Sequence, residues 1–185
     1  MAFTAKDVQA LREKTGVGMM DCKKALVEAD GDVDKAMDIL REKGLASATK
    51  KASRVAAEGI VATCSDATAG VLVEINCETD FVAKGAPFVE LSAKIAKTVL
   101  AAKPADVEAL LATKAVDSDK TVEEEVQEVF LALRENMKVR RFALIEGHTT
   151  SYIHAGGSVG VLVASSVSNA TITPTEPPAW IYVAV

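Results

Sequence analysis

The hydrophobic period of the chain changes at Gly59, and that change limits the fold to a mixed one. Upstream, Val33, Ala36, Met37 and Leu40 stand at i, i+3, i+4 and i+7, the stripe of an amphipathic helix. Downstream, Ile60–Cys64 and Val71–Asn76 are short β-prone runs joined by the turn-like Ser65–Gly70, so they predict a hairpin. A helical opening followed by hairpin strands and further helices predicts an α+β fold, with an antiparallel sheet and helices packed on one face.

Local punctuation divides the chain further. Thr4 with Asp7 three residues on predicts a capped first helix with Val8 and Leu11 on its apolar side. Thr15-Gly16-Val17-Gly18 breaks it, and a second helix runs from about Met20 to Ala29 with Cys22, Ala25, Leu26 and Ala29 on one side. Asp30-Gly31-Asp32 ends that helix and caps a third, which Gly44 is placed to stop. Leu45–Ala57 predicts a helical connector whose Lys50, Lys51 and Arg54 face solvent. Residues 1–54 are therefore expected to form a small three-helix binding unit with the start of the connector, since so small a core is marginal alone.

Residues 55–165 predict an α+β core subdomain. Pro87 opens a helix to Ala102 with Phe88, Leu91, Ile95 and Val99 as its buried stripe, and Pro104 stops it. A short helix from Asp106 to about Thr113 follows. Thr121 and Glu124 form a second capping box, before a helix presenting Val122, Val126, Val129, Phe130 and Leu133. Lys138–Glu146 and Ser158–Ser165 predict strands around a loop, 147–157, that holds both histidines, His148 and His154. Residues 166–185 depart from this pattern. They form a Pro/Thr-rich apolar tail with three of the five prolines, whose uncharged run Ala179–Val185 is an aggregation risk if exposed.

Composition removes several function classes. A net charge of −5 argues against a nucleic-acid partner. No apolar run is long enough for a bilayer, and the N-terminus has no signal-peptide layout, so a cytoplasmic protein is expected. The three cysteines lie far apart without a Cys-x-x-Cys, which predicts reduced thiols and no zinc site or other cofactor. No Gly-x-x-x-x-Gly-Lys-Ser/Thr loop is present, so direct nucleotide binding is not expected.

The run Cys77–Lys84 places an acid and a large aromatic, Asp80 and Phe81, where a strand hands over to a helix. Such corners commonly carry function. The structural alternative is a hinge whose Phe81 folds back into the core, as most phenylalanines do. A third reading, a thiol enzyme with Cys77 as nucleophile and His148 or His154 as base, has only the presence of those residues behind it.

Two long motifs decide among these. Leu11-Arg12-Glu13-Lys14-Thr15-Gly16-Val17-Gly18-Met19-Met20-Asp21-Cys22-Lys23-Lys24-Ala25-Leu26 closely resembles the N-terminal signature of elongation factor Ts, and Asn76-Cys77-Glu78-Thr79-Asp80-Phe81-Val82-Ala83-Lys84 resembles that family's second signature. The likeness runs from about residue 4 to about residue 165. It implies a translation factor, not a bond-making enzyme, that promotes guanine-nucleotide exchange on elongation factor Tu. It implies an N-terminal unit of the ubiquitin-associated type, with Arg12, Met19 and Met20 docking on the partner's nucleotide-binding domain. It also implies that Phe81, with Asp80, Thr79 and Val82 around it, wedges between helices of the partner and disturbs its magnesium and phosphate site. His154 falls where the family places a loop histidine near the partner.

Two departures accompany the likeness. The family continues into a second core subdomain and further helices, through which some members dimerise. The chain is thus expected to be truncated or divergent after about residue 165, with a reading-frame change near Ser166 as one origin and a non-exchanging docking fragment as the functional alternative. Within Leu133-Arg134-Glu135-Asn136-Met137, Arg134 stands where members often carry glycine, near the expected interface.

Overall fold

A computed structural model describes residues 3–165 and 179–184. In order, the elements are α1 (Ala5–Thr15), α2 (Met19–Glu28), α3 (Val33–Lys51), β1 (Glu58–Ser65), β2 (Ala69–Cys77), α4 (Asp80–Ala83), α5 (Ala86–Ala102), α6 (Val107–Ala112), α7 (Val122–Leu133), β3 (Lys138–Glu146), β4 (His148–Ile153), β5 (Val159–Ser165) and β6 (Ala179–Ala184). The mixed α+β composition is as expected. The chain divides into two compact units, residues 1–54 with 126–136, and residues 55–125 with 137–185. The helical unit thus includes most of α7, a segment that local sequence signals group with the strands.

The first unit is built on its caps. Thr4 Oγ1 accepts from the Asp7 N–H, and the Asp7 carboxylate accepts from the Thr4 N–H at 2.6 Å. α1 ends at Gly16, whose φ of +65° is the left-handed conformation glycine adopts without penalty. The Asp32 carboxylate accepts from the N–H groups of Asp34 and Lys35 and opens α3. Val8, Leu11, Val17, Cys22, Leu26, Ala36 and Leu40 close the core between the three helices.

Gly44 does not stop α3, which runs on to Lys51. The reason is tertiary. Gly44 is buried, and a Cβ on it would lie 1.8 Å from Leu131 Cδ2 of α7. A glycine inside a helix costs about 1 kcal/mol relative to alanine, and here its missing side chain is what admits Leu131. The expected solvated basic face is also corrected at Lys51. Its ammonium donates to the Arg134 carbonyl and lies 5.9 Å from the centre of the Phe130 ring.

The second unit carries two three-stranded antiparallel sheets, in the orders β1-β2-β3 and β4-β5-β6, where the sequence suggested one. Every residue of β2 is buried, so both its faces are covered. Strand alternation sets Val71, Val73 and Ile75 on one face and Gly70, Leu72 and Glu74 on the other. α5 packs on β1 and β2, burying Phe88, Leu91, Ile95 and Val99. Leu72 joins Val61 and Leu162 in a separate buried cluster, with Ile145 and Ile153 packed against it. Helix, sheet and sheet therefore form three layers.

Two glycines set the separation of the sheets. A Cβ on Gly70 would lie 2.4 Å from Thr149 Oγ1, and one on Gly160 would lie 2.7 Å from Val61 Cγ1.

The loop expected over residues 147–157 is largely a strand. β4 starts at His148 and pairs with β5 from His148↔Ser165 to Ile153↔Gly160. The run Ala179–Ala184 is likewise not an unpartnered tail, since its backbone pairs with β5 from Ala164↔Ala179 to Val159↔Ala184. The rest of the expected tail, 166–178 and Val185, lies outside the described residues.

A bulge in β3 resolves a buried charge. Glu74 pairs with Arg141 and Ile75 with Val139, which leaves Arg140 as the extra residue. A bulge turns two consecutive side chains toward one side. Arg141 Nε and Arg140 Nε thus reach the Glu74 carboxylate at 2.5 and 3.5 Å, although Glu74 is only 3% exposed. Without those cations a buried carboxylate would cost several kcal/mol, of order 3–5.

Candidate functional site

The second sequence motif folds into one tight helical turn. Thr79 leaves β2 with extended backbone, and its Oγ1 accepts from the Val82 N–H at 3.4 Å, which starts α4. The Cys77 thiol donates to the Thr79 carbonyl at 3.2 Å. Val82 and Ala83 turn inward and are buried, whereas Phe81 is 85% exposed. The hinge alternative, with Phe81 in the core, is excluded. Removing such a ring from water is worth about 1.5–3 kcal/mol, and this chain leaves that energy unused.

Asp80 and Lys84 sit four residues apart and form an ion pair at 2.8 Å. The hydrogen bond from Lys84 and its positive charge hold the Asp80 carboxyl below the usual aspartate range. The same bond raises the Lys84 ammonium, to which the Glu58 charge adds. Asp80 is therefore a carboxylate with a counter-ion in hand at neutral pH. Thr79, Asp80 and Phe81 come together on the surface, while Val82 is the anchor beneath them.

In the helical unit, Arg12 lies exposed in the last turn of α1, and Met19 and Met20 open α2 at 40% and 63% exposure. Val17, between them in sequence, is fully buried and pins the connecting loop. Flexible, polarizable methionines on an exposed turn suit an apolar contact with a partner helix.

Arg134 has a conformational explanation. It follows α7 with φ of +59°, its N–H donates to the Phe130 carbonyl at 2.8 Å, and its guanidinium reaches Asp21 of α2 at 3.1 Å. A glycine at this left-handed position would be unstrained and would keep the Lys51 bond to the backbone carbonyl, whereas the tie to Asp21 belongs to the arginine side chain alone. The strain of about 1–2 kcal/mol opposes an ion pair of about 0.2–1 kcal/mol. Arg134→Gly is expected to keep stability within about 1 kcal/mol of the parent in urea denaturation, because relief of the strain is offset by the lost ion pair and by the greater unfolded-state entropy of glycine, about 0.5–1 kcal/mol. A larger loss would show that the arginine holds the helical unit together.

His154 lies just past β4, its N–H donating to the Val159 carbonyl at 2.8 Å. His148 opens the same strand, and both are exposed. Cys77 is fully buried. A buried thiol that donates to a carbonyl is not the accessible thiolate beside a base that nucleophilic catalysis uses. Among the described residues no group of three or more His, Cys, Asp or Glu could hold a metal ion. No helix among them is long and apolar enough to cross a membrane.

Three contributors were given no role from the sequence, although Asp21 and Lys84 lie within the two motifs. Lys84 was legible from its i+4 spacing to Asp80. Tyr152, which bonds His154, was legible only once β4 was known as a strand. Asp21 gave no local signal of its tie to Arg134.

Exposed Asp80 and Phe81 thus stand on a turn capped by Thr79, and exposed Met19 and Met20 open α2 after Gly18, which caps it with no side chain. The chain belongs to the elongation factor Ts family: a family model described as Elongation factor TS matches residues 78–176. It is 51% identical over 171 residues to Elongation factor Ts of Syntrophotalea carbinolica, covering 91% of this chain and 56% of that protein. It is 54% identical over 165 residues to Elongation factor Ts of Clostridium perfringens, covering 86% and 54%. It is 48% identical over 182 residues to that of Trichlorobacter lovleyi, covering 95% and 58%. The chain thus spans about half the length of the curated relatives it matches.

Proposed function

We propose that this chain acts in cytoplasmic translation elongation by binding elongation factor Tu·GDP and promoting release of GDP. The observation that carries the reading is the exposed Phe81 on a turn that Thr79 caps and Val82 anchors. The ring enters between helices of the partner beside its nucleotide site. Asp80 exchanges Lys84 for polar groups of the partner. Those intrusions would disturb the partner's magnesium site, whose cation offsets the phosphate charge, and so weaken the hold on GDP. The three-helix unit of the ubiquitin-associated type docks on the nucleotide-binding domain through Arg12, Met19 and Met20. The chain itself neither binds nucleotide nor makes or breaks a covalent bond. Coupling is reciprocal, so GDP with magnesium weakens binding of this chain by the factor by which the chain weakens GDP.

Release of a fluorescent GDP analogue from elongation factor Tu tests this reading. Faster release with the chain present supports exchange. Binding without acceleration would make the chain a docking fragment, and absence of both would overturn the proposal.

A further inference from the structure

Tyr152 and His154 form an exposed side-chain pair that the wedge and the docking turn leave unexplained. Tyr152 Oη and His154 Nδ1 are 3.0 Å apart, with ring centroids at 6.0 Å and ring planes tilted by 57°. Extended backbone two residues apart sends both side chains to one side. The backbone beneath them is committed elsewhere, because the His154 N–H donates to Val159 and the His154 carbonyl accepts from Gly157. Tyr152 is 61% exposed, so its ring adds little to the core. The phenol is the better donor and the imidazole nitrogen the better acceptor. With the hydroxyl as donor, Nδ1 of a neutral ring is the acceptor and carries no proton.

We infer that Tyr152 is a positioning residue: it fixes His154 as the Nε2–H tautomer and aims that N–H outward as a donor to an acceptor oxygen on the docking partner. The identity of the partner rests on the proposed function, whereas the tautomer does not. Its use for recognition follows from economy of form. One nitrogen is satisfied within the chain, and the other remains as a directed, exposed donor.

Two measurements test this. His148→Gln leaves His154 as the single imidazole of the chain. Its ring 15N shifts in the free protein above the titration range are expected to show an unprotonated Nδ1 and a protonated Nε2. Tyr152→Phe is expected to turn them into a mixture of tautomers. An Nδ1–H ring, or no change in Tyr152→Phe, would overturn the inference. In binding to elongation factor Tu, His154→Gln puts an amide N–H near the Nε2 position and is expected to stay within about twofold of the parent. His154→Asn puts it near Nδ1 and is expected to bind about fivefold more weakly, the scale of one hydrogen bond. Equal affinity of the two variants would overturn the contact, and rescue by Asn alone would reverse the assignment. A parent chain that fails to bind would overturn the proposed function and the contact together, while the 15N shifts would still judge the tautomer.

Discussion

Phe81→Ala is expected to slow GDP release from elongation factor Tu by about 10- to 100-fold while shifting the melting temperature by no more than about 2 °C. The first figure follows from the ring: burying a phenylalanine contributes about 1.5–3 kcal/mol, and each 1.4 kcal/mol is a factor of ten. The second follows from its surroundings. Phe81 is 85% exposed, whereas the Thr79 cap and the buried Val82 that hold the turn are untouched by the substitution. Exposed positions change stability by about 0.5 kcal/mol or less. Stopped-flow release and a thermal melt on the same sample check both halves. A melt that falls in step with the rate would mean the ring supports the fold, and the wedge reading would fail.

Gly160→Val is expected to destabilise the second unit by about 2 kcal/mol or more, against the direction that strand propensity indicates. Valine suits strands, and glycine weakens them, on a scale of about 1 kcal/mol. Packing decides otherwise. A Cβ alone on Gly160 would stand 2.7 Å from Val61 Cγ1, 2.9 Å from Ile153 Cδ1 and 3.3 Å from Leu72 Cδ2. These are the side chains of the small cluster between the two sheets. Two further methyl groups force that layer apart, and overpacking of this kind costs about 1–3 kcal/mol or more. Urea denaturation followed by circular dichroism checks this prediction. A variant as stable as the parent would show that the sheets can separate without penalty.

What could be read from the sequence is what local chemistry determines. The Thr4–Asp7 and Thr121–Glu124 boxes, the Asp32 cap and Pro87 at the start of α5 all involve residues within a turn of one another, and each forms as expected. The failures have long-range causes. Gly44 reads as a helix stop until Leu131 is brought against it. Arg134 reads as a surface substitution until its backbone is seen in a glycine conformation and its guanidinium on Asp21. β4 was hidden because His148–Ile153 alternates exposed and half-buried residues, most of them polar, and so lacks a continuous apolar face. At the proposed wedge, the motif drew attention to Thr79–Val82 as a group, but only burial separates Val82, which holds the turn, from Phe81, which is held out by it.

That division within one turn has a consequence for how the chain can change over time. Folding exerts almost no pressure on position 81: a leucine, a serine or an alanine there would leave Thr79 capped and Val82 buried, and the fold would not register the exchange. Position 82 answers to the interior of this chain alone. Two neighbouring residues therefore keep separate records, one of the protein itself and one of whatever it meets, and a library varied at both sites and selected first for folding and then for binding would pull the two apart.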